Sequence, residues 1–471
     1  MFPLTAEICE QARRSRDPRF DGRFYIGVLT TGIYCRPICP ARTAAPDNVR
    51  YFPAAAAAED AGFRACLRCR PERAPRVPEW SLASDLVQRG LRLIDAGFLD
   101  ERSSAQLAER LGVSARHLDR RFHEVLGTTP QRLARTRRLH LARELLLRSR
   151  LPMQQVALQA GYGSLRRFNA EIRSSFECTP SALRRSGGGA VPGEPLKLEL
   201  PLRAPYHRQW VLDFHQRRAL PLLERVVGDR LERRLQGSGE HWLAATLEAD
   251  RVLVELPVAA LLNDLNTADL LSQVRRVLDL DADSTVIDAA LAGDEELGPQ
   301  VARTPGLRVP GAWDGFEIAV RAILGQQVSV ARARDLAVAL IERFGAGAFP
   351  SPAALADADV AAIGMPGRRG AAVRALAAAV LDGKLRLDDA EPAEALKGQL
   401  VSLPGIGPWT AGYVAMRVGR DPDAFPEADW VVLKQLKTTA ARARKVAGRW
   451  RPWRAYALMY LWARSAQFGH R

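Results

Sequence analysis

Four of the six cysteines in the chain stand in two closely spaced pairs. Three residues separate Cys35 from Cys39, two separate Cys66 from Cys69, and 26 residues lie between the pairs. Two short-spaced pairs can place four thiolates at the corners of a tetrahedron, the arrangement that Zn²⁺ prefers in a closed site. We therefore predict one Zn²⁺ with four cysteine ligands. The spacing alone favours a purely structural zinc site over a reactive one.

The residues around these pairs change that interpretation. Residues 30–42 (TTGIYCRPICPAR) and 61–69 (AGFRACLRC) resemble the N-terminal domain of the Ada family of adaptive-response regulators, and the likeness covers roughly residues 1–75. In that family the first cysteine irreversibly takes a methyl group from a methylphosphotriester of the DNA backbone. The resemblance assigns that role to Cys35, with the other three paired cysteines completing the zinc site.

The chemistry of such a site also suggests a switch. A metal-bound thiol stays deprotonated, and the thiolate is the nucleophile that methyl transfer needs. Four thiolates around one Zn²⁺ carry net negative charge, which repels DNA phosphates, and methylation removes part of that charge. We therefore predict that single-turnover methyl transfer to Cys35 raises the affinity for DNA and activates transcription.

A second candidate for chemistry is Asp429, which follows Trp409 by 20 residues. A carboxylate beside a sugar stabilises the oxocarbenium-like charge that develops when a glycosidic bond breaks. A lone aspartate after a proline is nevertheless more often a helix N-cap. Upstream, residues 403–411 (LPGIGPWTA) form a glycine-flanked turn whose free backbone N–H groups can hold a phosphate oxygen, although such a turn can equally be a simple helix connector.

Several segments resemble the AlkA-type methyladenine glycosylases of the helix-hairpin-helix superfamily. Besides residues 403–411 they are 322–329 (AILGQQVS), 424–430 (AFPEADW) and 451–462 (RPWRAYALMYLW), and the likeness runs from about 196 to 471. The resemblance implies that Asp429 is the catalytic carboxylate. It makes Trp409 and Trp462 walls of the pocket for an alkylated base, since electron-poor purines stack well on indoles, with plain core packing as the alternative. It also implies three DNA contacts, at Gln327, Gly405 and Gly407.

Two positions refine this resemblance. Relatives that also cut the DNA strand have a lysine where Trp409 stands, so the resemblance implies a monofunctional glycosylase that leaves an abasic site. At Gln327 the AlkA-type enzymes have an apolar wedge. Glutamine can still fill the gap left by a flipped base, but the substitution puts efficient flipping in question.

A basic internal repeat occupies residues 102–185. Gly112 and Gly161 lie 49 residues apart at matching turns, and the segment carries 17 arginines against 6 acidic residues. Helix, tight turn and helix are predicted between Leu107 and Phe122, and residues 80–185 resemble the AraC-family DNA-binding domain, in which a helix joins two such motifs (here near 133–147). The side chains predicted to contact DNA are Arg116, Arg120, Arg121, Arg166 and Arg167. Two ordinary helical hairpins are the alternative.

The connectors in the sequence predict four domains. Connectors at 71–78 and 186–195, and a softer boundary near 305–311, predict domains at 1–76, 77–186, 196–305 and 306–471. Alternating apolar residues at 196–200 and 251–256 predict antiparallel strands. The predicted fold class is multidomain α+β: a small zinc domain, an all-α double helix-turn-helix domain, an antiparallel β-sheet domain and an α-helical helix-hairpin-helix glycosylase domain.

Composition and charge fit a DNA-binding protein. The chain carries a formal net charge of +15, most of it before residue 186, although an arginine-rich proteome would raise the same count. The sequence contains no run of 18 or more apolar residues, and its first residues are not those of a signal peptide, so we expect a cytoplasmic protein without a membrane partner. The predicted partners are damaged and promoter double-stranded DNA and RNA polymerase, and the chain is expected to be a monomer.

These observations predict an alkylation sensor, transcription activator and DNA-base glycosylase in one chain. One alternative is a methylation-triggered transcription activator with an inactive glycosylase fold. Another is a pure repair enzyme that the first 185 residues only deliver to DNA.

Overall fold

The computed structural model describes residues 4–76, 84–187, 194–236, 240–262, 265–388 and 390–465. The chain forms two compact units, one of Met1–Leu202 with Arg251–Ser272 and the other of Arg203–Asp250 with Gln273–Arg471. The predicted connector at 71–78 and linker at 186–195 lie partly outside the described residues, and the four-domain division stays a prediction. Every helix within the described ranges is too short or too polar to cross a membrane.

The cysteine-bearing region is a small four-stranded sheet with two helices. The strands run in the order β3–β1–β2–β4, with β2 and β4 parallel and the other neighbours antiparallel. An apolar core of aromatic and alanine side chains fills one face and continues into the helices that follow in the sequence. The elements are α1 (Ala6–Ser15), β1 (Tyr25–Val28), β2 (Ile33–Cys35), β3 (Val49–Phe52), α2 (Ala55–Asp60) and β4 (Arg64–Ala65).

Residues 84–187 are all helical, as predicted, and contain two helix-turn-helix units joined by a long helix. Gly112 and Gly161 occupy the two matching turns with φ of +74° and +90°, conformations that favour glycine. Ser114 and Ser164 cap the helices that follow the turns. The elements are α3 (Asp85–Asp95), α4 (Phe98–Glu101), α5 (Ser104–Arg110), α6 (Ala115–Leu126), α7 (Pro130–Arg148), α8 (Met153–Gln159), α9 (Leu165–Phe176) and α10 (Pro180–Arg185).

The next region contains the predicted antiparallel strands and several helices that the alternating pattern did not indicate. The first and last strands pair with each other from Leu196 opposite Leu256 to Pro201 opposite Arg251, and the middle three strands form an antiparallel meander. The elements are β5 (Leu196–Pro201), α11 (Arg208–Arg218), β6 (Glu224–Val227), β7 (Arg230–Arg234), β8 (Trp242–Leu247), β9 (Arg251–Leu256), α12 (Val258–Leu261), α13 (Thr267–Val277), α14 (Ser284–Ala292) and α15 (Gly298–Arg303).

The C-terminal region is helical and is built around one central helix. That helix, α16 (Gly315–Leu324), is buried on almost every side, which suits its apolar sequence IAVRAIL, and it is the centre of the apolar core of this region. The other helices are α17 (Val330–Phe344), α18 (Pro352–Ala356), α19 (Gly367–Leu381), α20 (Ala393–Val401), α21 (Pro408–Arg417), α22 (Trp430–Gln435), α23 (Ala440–Ala447) and α24 (Arg454–Arg464). The multidomain α+β class is confirmed.

Candidate functional sites

The four paired cysteines meet at one edge of the small sheet. Strand β2 ends at Cys35, and its parallel neighbour β4 ends directly before Cys66, so the parallel pairing places these two residues side by side. The Sγ atoms of Cys35, Cys39, Cys66 and Cys69 all lie within 4.8 Å of one another. Tetrahedral Zn–S bonds place thiolates about 3.8 Å apart. The donor set therefore fits one Zn²⁺.

The four thiols differ in exposure. Cys66 and Cys69 are buried, whereas Cys35 and Cys39 are only partly so. The backbone N–H of Arg36 donates to Sγ of Cys69 at 3.4 Å, and its guanidinium forms an ion pair with the buried Asp21. These contacts fix the loop after Cys35 while leaving that thiol on the accessible side of the site.

Tyr34 attaches the strand that carries Cys35 to helix α7. Its side chain is fully buried, and its hydroxyl donates to Oε1 of Glu59 at 2.9 Å and lies 3.1 Å from Nε2 of His140. The other carboxylate oxygen of Glu59 accepts from Thr136 at 2.5 Å. Burial raises the pKa of Tyr34 well above its usual value, so the hydroxyl stays protonated. The sequence reasoning did not find this connection, because no motif marks it.

The arginines predicted to contact DNA lie on the second helix of each helix-turn-helix unit. Arg116 and Arg120 on α6 and Arg166 and Arg167 on α9 are exposed, and Arg121 is half-buried. Several of them form ion pairs within their own helix, including Arg121 with Glu124 and Arg167 with Glu171. DNA phosphates would compete with these carboxylates for the arginines, because a single ion pair at the protein surface contributes little to stability.

The net positive charge of this region overstates its positive surface. Arg138 and Arg143 on α7 point inward, where Arg138 donates to the carbonyl oxygen of Leu99 at 3.1 Å and Arg143 donates to Glu72 at 2.7 Å. These guanidiniums stabilise the packing and are not available to a polyanion. Sequence counting cannot separate the two groups, because it counts every arginine of a helix alike.

The glycine-flanked turn joins α20 to α21 as a helical hairpin. Gly405 has φ of +80°, and a Cβ there would lie 2.7 Å from Cβ of Ala372, so both conformation and space require glycine. Gly407 is the N-cap of α21, and a Cβ there would meet no atom within 4 Å. The hairpin thus presents the amino end of a helix to open space, where backbone N–H groups can bind a phosphate.

The predicted DNA-inserting loop is fastened to this hairpin. Nε2 of Gln326 donates to the carbonyl oxygen of Gly405 and to Oγ1 of Thr410, each at 3.0 Å, and Arg369 donates to the carbonyl oxygen of Gln326 at 2.6 Å. The next residue, Gln327, is exposed and has φ of +56°. Gln327 is therefore an exposed residue in a left-handed backbone conformation, directly after a residue that is hydrogen-bonded to the hairpin.

Asp429 is both a helix N-cap and the meeting point of two indoles. Oδ1 accepts from the backbone N–H of Val432 at 3.1 Å and from Nε1 of Trp462 at 3.1 Å, while Oδ2 accepts from Nε1 of Trp409 at 3.0 Å. The carboxylate is 5% exposed. The two interpretations of this residue in the sequence, cap and functional carboxylate, are therefore compatible, because the cap orients the group that would act.

A second layer of aromatic rings supports both indoles. Tyr413 stacks on Trp409 with centroids 5.4 Å apart and planes 14° apart, and Phe214 stacks on Trp462 at 6.5 Å and 13°. Sequence reasoning missed both supporting rings. Tyr413 could have been predicted from the sequence, since a residue four positions after Trp409 lies on the same face of a helix. Phe214 could not, because it lies on α11, far away in the sequence.

Buried charges lie behind this aromatic layer. Burial raises the pKa of Tyr413, but the positive charges of Arg417, Arg218 and Arg321 outweigh that effect and hold its pKa below the usual value. Burial lowers the pKa of Arg218 to about 10. Burial, reinforced by Arg417, lowers the pKa of His215 to about 3, so this imidazole is neutral.

Three family profiles match successive parts of the chain. The metal binding domain of Ada matches residues 8–72, a helix-turn-helix domain matches residues 107–186, and the AlkA N-terminal domain matches residues 197–314. The first match and the cysteine geometry together confirm the prediction of one Zn²⁺ with four cysteine ligands. When bound, the metal keeps its thiols deprotonated.

Whole-chain comparisons agree with these profiles. The chain is 40% identical to the probable bifunctional transcriptional activator/DNA repair enzyme AlkA of Mycobacterium tuberculosis, over 97% of this chain and 96% of the relative. It is 36% identical to DNA-3-methyladenine glycosylase 2 of Escherichia coli, over 55% of this chain and 94% of that protein.

A third relative matches the amino-terminal part of the chain. The bifunctional transcriptional activator/DNA repair enzyme Ada of Escherichia coli is 32% identical over 39% of this chain and 50% of its own length. The resemblances to Ada, to AraC-type domains and to AlkA that the motifs indicated are confirmed. On its near full-length match to the mycobacterial relative, the chain belongs to the family of bifunctional transcriptional activator/DNA repair enzymes that joins an Ada-type amino-terminal half to an AlkA-type carboxyl-terminal half.

Proposed function

We propose that this chain hydrolyses the N-glycosidic bond of alkylated, methyladenine-type bases in DNA, with Asp429 as the catalytic carboxylate. The observation that carries the proposal is the convergence of two indole N–H groups and a helix N-terminus on one buried carboxylate. Such a group is held in one orientation before any substrate arrives. A preorganised carboxylate stabilises developing positive charge better than a mobile one, because it needs no reorganisation during the reaction.

In the proposed reaction the bond between C1′ and the base nitrogen breaks, and the base leaves with the electron pair. Asp429 lies beside the sugar and stabilises the oxocarbenium-like charge on C1′. Water then adds to C1′ and loses a proton, which leaves an abasic site. A base that is already cationic through alkylation departs as a neutral molecule, so no general acid is required for it.

Trp409 and Trp462 are proposed to form the walls that receive the flipped base. Trp462 is buried and Trp409 is partly buried, and each is tied to Asp429, so a base between them would lie next to the carboxylate. Electron-poor alkylated rings gain more from stacking on an indole than normal bases do. The same arrangement supports a monofunctional enzyme, since an indole at position 409 supplies no amine to attack C1′.

The proposed grip on the DNA backbone is the hairpin at Gly405 and Gly407, with Gln327 filling the gap left by the flipped base. The free amino end of α21 supports a phosphate contact. The exposed Gln327 follows a residue that is bonded to that hairpin, so a phosphate contact and an inserted side chain would be fixed relative to each other.

For the amino-terminal half we propose that Cys35 accepts a methyl group from a DNA methylphosphotriester. Its thiolate attacks the methyl carbon, an S–C bond forms, the C–O bond breaks, and the phosphodiester leaves with the electron pair. The partial exposure that Cys35 shares with Cys39, against the burial of Cys66 and Cys69, supports one of the first pair as acceptor, and the Ada-type motif favours Cys35. The loss of one negative charge then favours promoter DNA at Arg116, Arg120, Arg121, Arg166 and Arg167. RNA polymerase as partner, a monomeric state and a cytoplasmic location belong to the same proposal.

The glycosylase proposal is tested by release of bases from methylated duplex DNA. Wild-type protein is expected to release methylated purines, and Asp429→Asn to release them at least a hundredfold more slowly while still binding the same DNA. The expected product carries an abasic site in an uncut strand. A mutant as fast as the wild type would refute the role of Asp429. No release by the wild type would favour an activator with an inactive glycosylase fold.

The methyl-acceptor proposal has its own readout. After incubation with DNA that carries methylphosphotriesters, peptide mass spectrometry is expected to find one methyl group, on Cys35. The matched control is Cys178→Ser, which lies outside the cysteine cluster and should leave the transfer unchanged. Promoter affinity should rise after methylation, and an unchanged affinity would refute the switch.

A further inference from the structure

Arg417 contacts both rings of the supporting aromatic layer. Its guanidinium carbon lies 4.9 Å from the ring centroid of Phe214 and 5.4 Å from that of Tyr413. Nη1 donates to the hydroxyl of Tyr413 at 2.6 Å, and Nη2 donates to the carbonyl oxygen of Gly311 at 2.7 Å. Two directional hydrogen bonds and two ring contacts fix this side chain, which is 4% exposed.

These contacts close a ring of side chains that begins and ends at Asp429. Each indole donates to the carboxylate, each indole stacks on one supporting ring, and Arg417 joins the two supporting rings. Without Arg417, the two supporting rings would be joined only by Arg218, which lies on the same α11 as Phe214. In order around the ring the members are Asp429, Trp409, Tyr413, Arg417, Phe214 and Trp462.

From this closed ring we infer that Arg417 is a positioning residue for the glycosylase reaction, which sets the angle between the two indole donors and hence the orientation of the Asp429 carboxylate. The inference rests on the proposed function of Asp429. Arg417 touches neither the carboxylate nor, in the proposed reaction, the substrate, so it acts through the two supporting rings and the indoles stacked on them.

The guanidinium suits this task where an ammonium would not. It is planar, so one face can pack on a ring while its edges donate in fixed directions to a hydroxyl and a carbonyl group. A lysine at the same position keeps the charge but loses the rigid fork. Arg218 contributes to the same layer, since it lies 3.9 Å over Phe214 and hydrogen-bonds Tyr413. Phe214 and Arg218 are both on α11, whereas Arg417 and Tyr413 are both on α21.

The test uses the full chain with Arg417→Lys. The expected result is a kcat for base release about 10- to 100-fold below that of the wild type, with KM for methylated DNA changed less than about threefold, because small displacements of catalytic groups cost roughly that much. The matched control is Arg308→Lys. Arg308 is also fully buried and donates to carbonyl groups of Asp279 and Ala282, but it is outside the ring.

A second readout needs no activity. The indole N–H resonances of Trp409 and Trp462, assigned with Trp→Phe variants, report their hydrogen bonds to the carboxylate. Both resonances are expected to shift in Arg417→Lys and to stay in place in Arg308→Lys. Tyr413→Phe, which keeps the stack and removes only the hydroxyl, serves if Arg417→Lys does not fold. It should shift the Trp409 resonance and lower kcat a few-fold.

The outcomes separate this inference from the proposed function. Unchanged resonances and kcat in Arg417→Lys would overturn the inference while the glycosylase activity stands. An equal loss of kcat in Arg308→Lys would also overturn it, because the effect would then be general destabilisation. If Asp429→Asn were as active as the wild type, the proposed catalytic role of Asp429 would fail, and the resonances would still show whether Arg417 holds the indoles.

Discussion

Trp409 donates its indole N–H to Oδ2 of Asp429 over 3.0 Å, and this is the carboxylate oxygen that the amino end of α22 leaves free. The helix and Trp462 hold Oδ1. One wall of the proposed base pocket therefore also orients the proposed catalytic group. Binding of the base and alignment of the carboxylate become a single structural property.

Replacing Trp409 by phenylalanine should separate these two roles. Trp409→Phe keeps an aromatic wall and removes the donor to a buried carboxylate, a hydrogen bond worth about 1.5–3 kcal/mol. We expect kcat for base release to fall roughly 10- to 100-fold with a smaller change in KM. Trp242→Phe, on β8, is the control and should leave kcat unchanged. A loss confined to KM would mean that Trp409 acts only as a wall.

The two glycines of the hairpin make a matched pair. Gly407→Ala adds a methyl group in open space at an ordinary backbone conformation, so the free energy of unfolding should stay within about 0.5 kcal/mol of the wild type. That methyl group would stand where a phosphate approaches the amino end of α21, so we expect weaker binding to duplex DNA, measured by fluorescence anisotropy.

Gly405→Ala should behave in the opposite way. Its Cβ would meet Cβ of Ala372 at 2.7 Å, and its φ of +80° strains an L-residue. We expect a loss of stability of about 1–3 kcal/mol in denaturant titrations. Equal stability in both variants would show that the hairpin relaxes, and unchanged DNA binding in Gly407→Ala would place the phosphate contact elsewhere.

Gln327 offers a test in which stability and function diverge. Its left-handed φ of +56° is a conformation that glycine adopts without strain, so Gln327→Gly should leave the unfolding free energy equal or raise it by up to about 1 kcal/mol. The same change removes the side chain proposed to fill the flipped-base gap, so base release should slow. Gln327→Leu restores a filler and should recover the rate. A fast Gln327→Gly variant would exclude an insertion role.

The sequence predicted the features whose residues are close together along the chain and missed those whose residues are far apart. The cysteine pairs, the two turn glycines and the hairpin are local patterns, and each lies where the spacing indicated. The N-cap at Asp429 was also readable locally. The closed ring of side chains behind the proposed pocket could not be predicted from the sequence, because Phe214 and Arg417 are brought into contact only by tertiary packing. The charge count failed for the same reason, since it could not show that Arg138 and Arg143 are buried.

Replacing Tyr34 by phenylalanine tests the connection between the zinc region and the helix-turn-helix region. Tyr34→Phe leaves Glu59 and His140 without their shared buried partner, so we expect a loss of about 1–3 kcal/mol in unfolding free energy. It should also speed amide hydrogen exchange in α7. The control is Tyr51→Phe, whose hydroxyl contacts Glu10 on α1 and should not affect α7. Equal exchange in α7 for both variants would show that Tyr34 does not brace that helix.

His215 should make the second unit sensitive to acid. Its pKa is lowered to about 3 in the folded chain by burial and by the neighbouring charges of Arg417, Arg218 and Arg321, against 6.5 when exposed. Between these values the unfolded chain binds a proton that the folded chain does not. The contribution of the neutral His215 to the free energy of unfolding is therefore fully present above about pH 6.5. Below that pH the free energy of unfolding falls by roughly 1.4 kcal/mol for each pH unit.

The measurement is urea unfolding from about pH 7 to about pH 5, compared between the wild type and His215→Asn. Asparagine can keep the hydrogen bond to the backbone of Val277 but does not titrate. The wild type should lose about 2 kcal/mol more than the variant over this range. Arg417 lies beside His215 and also contacts the rings behind the proposed pocket. The kcat for base release should therefore stay at the wild-type value in His215→Asn only if the Arg417 guanidinium is not displaced. Parallel slopes for the two proteins would show that His215 is protonated in the folded chain, with the charge accommodated among the arginines.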